Sequence, residues 1–205
     1  MTVPTDIFQT MASQPYATLS AQIQDGDLLL FSQRDRMSGL IEWATKSPFS
    51  HIGFVLRLPM AGIMLLEALP AGVTTAALSI VVNGNRSGAQ APYKGGLLLA
   101  RHDDFKSFVT DAKLHDLTEF AVDRLGAPFA TVEIIKIALR ILLGRLNMKT
   151  PRLLEPDDEY ICSEYVAACY QRVGITIPWD RLGFIAPSDF AADPKVRPIG
   201  VIANA

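Results

Sequence analysis

The chain has very few of the residues that bind metals or form disulfides. Only two of its 205 residues are cysteine and three are histidine. No Cys/His cluster has the spacing of a zinc site, so the sequence predicts neither a metal centre nor a cofactor. Both cysteines, Cys162 and Cys169, fall on one predicted helix. They lie about 10 Å apart at about 1.5 Å per residue, which is too far for a disulfide.

A strong charge of one sign and a long apolar run are also missing. The formal net charge is -2, which gives no bulk attraction to nucleic acid. The first twenty residues lack the basic start and apolar run of a secretory signal. The most apolar stretch, residues 131–146, contains Glu133, Lys136 and Arg140 and is too short and too charged to span a membrane. The sequence therefore predicts no nucleic-acid partner, no transmembrane segment and, by default, a cytoplasmic location.

The chain does have enough apolar sequence for one folded domain. Apolar residues make up 49% of it, so residues 1–205 are predicted to form a single domain, with residues 1–24 as an N-terminal leader segment. Apolar and β-branched runs predict strands at 28–31, 51–57, 63–68, 73–82 and 95–101. Helical spacing predicts helices at 37–45, 106–125, 131–146 and 162–173. Strands come early and helices late, which predicts the α+β class.

Cys162 begins the last predicted helix. The apolar residues that follow it at helical spacing are Val166, Cys169, Tyr170 and Val173. Unpaired N–H groups and the positive end of the dipole at a helix start favour a thiolate, the nucleophilic form of cysteine. The segment thus predicts a nucleophile, although a small buried hydrophobe fits Cys162 equally well. Cys169 is predicted to be structural because it lies in mid-helix on the apolar face.

A cysteine nucleophile needs a base, and the chain offers three histidines. His102 borders two aspartates, so a solvated turn is its predicted place. His115 stands among charged residues on an amphipathic helix, which predicts a surface position. His51 begins an otherwise apolar strand and is therefore the candidate base.

Glu67 is the candidate partner that orients the base. It is a single charge in an apolar strand, and buried carboxylates are costly unless they are paired. If Leu58 pairs with Gly62 around a three-residue loop, Glu67 lies opposite Gly53. That register places Glu67 diagonally from His51 on the same face of the hairpin. An edge-strand glutamate that faces water is the alternative.

Several short segments together resemble the NlpC-like papain-fold superfamily, specifically its circularly permuted, YiiX-like branch. The matching segments are 25–29 (DGDLL), 50–53 (SHIG), 66–68 (LEA), 125–129 (LGAPF), 160–164 (YICSE) and 186–190 (APSDF). Each is weak alone, and the order of the motifs is the specific part. Histidine precedes glutamate and cysteine here, whereas the ordinary papain order begins with cysteine.

The resemblance implies a fold and a set of site residues. The fold is a small antiparallel sheet, often barrel-like, packed against helices, with Cys162 facing His51. The resemblance also implies that Tyr160, Ser163 and Ser50 line the substrate or oxyanion side, that the Cys162 N–H helps to bind the oxyanion, and that Asp27 is structural.

Three functions remain open from the sequence. The first is a hydrolase that cleaves a peptide amide bond through an acyl-enzyme thioester, as the resemblance to cell-wall peptidases implies. The second uses the same Cys–His–Glu site on a lipid acyl group, as hydrolase or acyltransferase. The third is a non-catalytic binding module. The apolar helix at 131–146 is predicted to pack on the core, to line an apolar cleft or to support a homodimer.

Overall fold

The computed structural model describes residues 2–32, 47–83, 93–128, 161–179 and 185–203. The strands are β1 (Ser13–Gln14), β2 (Leu28–Ser32), β3 (His51–Leu58), β4 (Gly62–Leu69), β5 (Gly72–Ala77), β6 (Gly96–His102) and β7 (Val196–Ile202). The helices are α1 (Ile7–Thr10), α2 (Tyr16–Ser20), α3 (Leu78–Val82), α4 (Phe105–Phe108), α5 (Asp111–Asp123), α6 (Cys162–Val173) and α7 (Pro187–Ala192). The predicted helices at 37–45 and 131–146 lie outside the described residues.

The seven strands form one mixed sheet in the order β1-β7-β6-β2-β3-β4-β5. All neighbours are antiparallel except β1 and β7, which are parallel. Over the described part of the chain the sheet is open, with β1 and β5 at its edges, and does not close into the barrel that the resemblance allows. The leader segment is part of this fold, because it supplies α1, α2 and the edge strand β1.

Both faces of the sheet are covered, which explains why Leu28 to Phe31 are all buried. On one face, the side chains of Leu28, Leu30 and Phe54 pack with α6. On the other face, Leu29 and Phe31 pack in a second cluster that includes residues of α2 and α3. Alternation along each strand assigns its residues to these two layers.

The long helix α6 is fixed on its face by two buried tyrosine hydroxyls. The Tyr165 hydroxyl donates to the Ala121 carbonyl of α5 at 3.1 Å, and the Tyr170 hydroxyl donates to the Gly26 carbonyl at 2.8 Å. The helix ends at Gly174, whose positive φ of 90° is a backbone conformation that glycine adopts without strain. The predicted bounds of this helix are confirmed.

Two other secondary-structure predictions are wrong in part. The predicted strand at 73–82 ends at Ala77, and the rest forms α3, whose Leu78, Val81 and Val82 are buried. Packing on the second cluster outweighs the β preference of its branched residues there. The predicted helix at 106–125 is divided into α4 and α5, because Thr110 is extended and its hydroxyl accepts the Lys113 N–H as an N-cap at 3.3 Å.

A buried ion pair joins the start of β2 to the end of β6. The Asp27 side chain is fully buried, and Arg101 donates to its two oxygens at 2.6 and 2.8 Å. Asp27 also accepts the Gln24 N–H at 2.8 Å, which agrees with the structural role that the resemblance implies for it. This carboxylate therefore links the loop before β2 to β6.

Arg101→Met is expected to lower the free energy of unfolding by about 3 kcal/mol, because it leaves the Asp27 carboxylate buried without its partner. Arg197→Met is the matched control. Arg197 pairs with Asp103 where both side chains are about half exposed, so less than about 1 kcal/mol is expected. Urea unfolding of both variants measures the difference. Equal losses would contradict the assignment of the Asp27 pair as a principal stabilising contact.

Candidate active site

Cys162 is the first residue of α6, as the sequence predicts. Ile161 before it is extended (φ -85°, ψ 159°), and its N–H donates to the Glu164 carboxylate at 3.4 Å. Cys162 is 9% exposed, while Cys169, about two helical turns further along, is completely buried. The thiol at the helix start is therefore the more accessible of the two.

His51 and Glu67 come together on the β3–β4 hairpin. Leu58 pairs with Gly62, and the register continues to Phe54 opposite Leu66, so the predicted register is confirmed. His51 Nε2 lies 2.7 Å from Glu67 Oε2. Glu67 is fully buried, whereas the His51 side chain is 17% exposed. The alternative of a glutamate facing water is therefore wrong.

Cys162 hydrogen-bonds to the imidazole of His51. Because Nε2 is hydrogen-bonded to Glu67, Nδ1 is the ring nitrogen that contacts the Cys162 sulphur. Burial lowers the pKa of His51, but the charge of the Cys162 thiolate, the bonds to sulphur and to Glu67, and the Glu67 charge raise it to about 10. The surroundings of His51, a carboxylate on one side and a sulphur on the other, therefore favour its imidazolium form.

The pKa of the Cys162 thiol is lowered. Burial acts to raise it, but the charge and hydrogen bond of His51 and the backbone N–H groups of Ile52 and Ser163 outweigh burial. Burial raises the pKa of Cys169 to about 12, and its bond to Tyr165 offsets only part of that shift. The two thiols therefore differ in chemistry: the first favours a thiolate, and the second stays protonated.

The Ile52 N–H is available to sulphur because the β3–β4 pairing ends short of it. The register between these strands ends at Phe54 and Leu66. Cys162 belongs to the cluster on the α6 face, whereas His51 and Glu67 share, by strand alternation, the face of Phe31 and Leu65. The three side chains thus meet from both sides where β3 and β4 separate.

The remaining predicted site residues occupy different positions. The Ser163 hydroxyl donates to the Ile185 carbonyl at 2.6 Å, which ties α6 to the segment before α7. The buried Ser50 lies directly before His51, and its hydroxyl donates to the Phe31 carbonyl at 3.5 Å. Tyr160 lies outside the described residues. A role for these three residues in substrate or oxyanion binding stays a prediction.

Sequence reasoning misplaced His102 and did not consider Phe31. His102 is 2% exposed at the end of β6 and accepts the Asp104 N–H at Nδ1, so the predicted solvated turn is wrong. It lies at the sheet end opposite His51, because β6 pairs with β2 near Leu28 there. Phe31 packs against His51 with the two rings tilted and their centroids 4.9 Å apart. Only the β2–β3 register identifies that contact, and a long connection leaves this register unspecified in the sequence.

These elements define a mixed α+β fold in which a seven-stranded sheet packs against helices, consistent with a YiiX-like fold. A crystal structure of metalloprotein yiiX from Escherichia coli O157:H7, DUF1105, is similar to this chain with a TM-score of 0.59 and 19% identity. The match covers 90% of this chain and 98% of that one. At this identity it shows a shared fold, which agrees with the predicted branch.

Other comparisons add no relatives. No family model and no curated protein matches the sequence. Within the described ranges, no helix combines the length and apolarity that crossing a membrane requires.

Glu67→Gln is expected to raise the apparent pKa of the Cys162 thiol by about one unit. Removing the carboxylate charge lowers the pKa of His51, and an imidazole that is protonated less often stabilises the thiolate less. At a pH below the thiol pKa of the wild type and of the variant, the alkylation rate of the variant should be roughly tenfold lower. The measurement is the pH profile of iodoacetamide labelling at Cys162 by mass spectrometry.

Glu119→Gln provides the control for this measurement, because Glu119 is an exposed carboxylate on α5. Its labelling profile is expected to follow the wild type. If the Glu67 and Glu119 variants give the same profile, Glu67 does not act on the thiol through His51.

Proposed function

We propose that this protein is a cysteine-dependent hydrolase that cleaves an amide bond in a peptide through an acyl-enzyme thioester. The observation that carries the proposal is the continuous contact from Glu67 through His51 to Cys162 at a helix N-terminus. A nucleophile, a base and a group that orients the base are the parts that acyl transfer requires. In this proposal the fold is a circularly permuted papain-like fold.

In the first half-reaction, the Cys162 thiolate attacks the amide carbonyl carbon, and the carbonyl oxygen becomes an oxyanion. The Cys162 backbone N–H at the start of α6 is the proposed donor to that oxygen. When the tetrahedral species collapses, the C–N bond breaks and the leaving nitrogen takes the proton from His51 Nδ1. The products of this step are a thioester on Cys162, a neutral His51 and a free amine.

In the second half-reaction, neutral His51 removes a proton from water, and the hydroxide attacks the thioester carbonyl. Collapse expels the Cys162 thiolate and releases a carboxylic acid, with the proton retained on His51. Glu67 stays ionised throughout. It fixes the ring through Nε2 and favours the charged imidazole.

The proposal includes no metal. The neighbour's title calls that protein a metalloprotein. In this chain, the described residues contain no group of three or more His, Cys, Asp or Glu side chains that could hold a metal ion. Glu67 also hydrogen-bonds His51 Nε2 directly, so these two side chains are already engaged with each other. The donor set of the described residues therefore does not fit a metal centre, and every proposed step uses side chains of this chain.

The substrate is the least constrained part of the proposal. A lipid acyl group would use the same nucleophile and base, and the sequence feature that favours it is the predicted apolar helix at 131–146. That helix lies outside the described residues. We retain the peptide amide because the superfamily that the motifs resemble includes proteins that cut cell-wall peptides, and the experiment below distinguishes the two.

Cys162→Ala is expected to reduce hydrolysis of a peptide panel that includes cell-wall peptides by at least about a thousandfold, because it removes the nucleophile. Cys169→Ala is the matched control and should retain activity, since that thiol is buried and protonated. Rapid quenching and mass spectrometry should find the peptide acyl group on Cys162.

Three results would change the proposal. Undiminished hydrolysis by the Cys162→Ala variant contradicts the nucleophile assignment. Acylation of Cys162 by lipid acyl donors but by no peptide favours the lipid alternative. A wild-type protein that turns over neither class, and whose thiol reacts no faster than free cysteine, favours the binding module.

A further inference from the structure

The Phe31 ring lies directly against the imidazole of His51. Their centroids are 4.9 Å apart and their planes are inclined by 55°. The two residues are cross-strand partners in the β2–β3 register. Phe31 is 3% exposed, so its ring is a fixed part of the protein interior and not a mobile surface group.

Phe31 is itself held from three directions. The Tyr93 ring packs edge-on against it at 5.5 Å, with planes at 73°. Leu29 and Val55 belong to the same buried cluster. The Phe31 carbonyl accepts the Ser50 N–H at 2.9 Å and the Ser50 hydroxyl at 3.5 Å. Ser50, the residue immediately before His51, is therefore hydrogen-bonded to Phe31, whose ring touches His51.

The proposed chemistry makes two simultaneous demands on the imidazole. Nε2 must stay on Glu67 while Nδ1 faces Cys162. The hydrogen bond to Glu67 fixes one ring atom, but the imidazole can still rotate about its Cβ–Cγ bond, which would turn Nδ1 away from Cys162. A rigid neighbour in contact with the ring restricts that rotation.

We propose that Phe31 is a positioning residue, whose ring sets the plane of the His51 imidazole so that both ring nitrogens meet their partners at once. This inference rests on the proposed function, since it concerns the same nucleophile and base. Phe31 touches neither substrate nor sulphur in this role and acts only through His51.

The experiment compares Phe31→Leu with Phe54→Leu. Phe54 is equally buried on the neighbouring strand, but its side chain packs on the opposite face against Tyr170, at 5.5 Å between ring centroids. Both variants lose one buried aromatic ring, so both should lower the melting temperature. Only Phe31→Leu is expected to change the thiol. The readout is the pH profile of iodoacetamide labelling at Cys162, located by mass spectrometry.

For Phe31→Leu we expect the apparent thiol pKa to rise by about one unit, with a roughly tenfold slower labelling rate at low pH. Phe54→Leu should keep the wild-type profile. Phe31→Met is a second test variant, which also removes the flat ring but fills the site with a more adaptable side chain. It should show the same shift if Phe31→Leu does not fold.

The outcomes separate this inference from the proposed function. If the wild-type thiol has a low pKa and the folded Phe31 variants retain it, the positioning role is wrong, while the proposed roles of Cys162 and His51 stand. Equal shifts in Phe31→Leu and Phe54→Leu would also overturn the inference, because the effect would then be general loosening of the core. A wild-type thiol with an ordinary pKa would overturn both.

Discussion

A carboxylate enclosed by a β-sheet requires a compensating positive charge, and at Glu67 this requirement organises the site. Glu67 is fully buried, and its partner His51 lies diagonally across the hairpin at 2.7 Å. Leaving such a charge unpaired would cost several kcal/mol, on the order of 3 to 5. The Cys162 thiolate raises the pKa of His51 most, and Glu67 adds to that shift from the other ring nitrogen. The resulting imidazolium in turn lowers the pKa of the Cys162 thiol. A buried acid that does not touch the sulphur therefore helps to favour its thiolate.

The second constraint is spatial. Cys162 comes from the helical layer on one face of the sheet, whereas the side chains of His51 and Glu67 point from their strands to the other face. Such groups meet only where the sheet opens. The end of the β3–β4 pairing at Phe54 and Leu66 provides that opening, and it also releases the Ile52 N–H to the sulphur. The same break in strand pairing therefore allows the three side chains to meet and supplies the Ile52 N–H that helps to lower the pKa of the Cys162 thiol.

The sequence predicts contacts between residues that are close along the chain better than contacts between distant segments. The hairpin register follows from the three-residue turn between Leu58 and Gly62, and the bounds of α6 follow from apolar spacing and Gly174. Both are short-range. The contact of Phe31 with His51 and the burial of His102 depend on pairings of β2 and β6 with distant segments. Loop length alone does not set those registers, and two aspartates beside His102 suggested exposure. The α3 helix was missed because packing overrode a β-branched composition.

The hydrogen bonds of the two tyrosine hydroxyls of α6 allow a substitution far from the site to affect the position of Cys162. Tyr170 is eight positions along the helix from Cys162, about 12 Å at 1.5 Å per residue, and it is bonded to the main chain at Gly26. An α-helix of this length behaves as a stiff rod, so an axial displacement at one end reappears at the other. The position of the sulphur therefore depends on the turn before β2, at the opposite end of the central strands. A substitution that shifts the main chain at Gly26 is therefore expected to displace Cys162, about two turns of helix away.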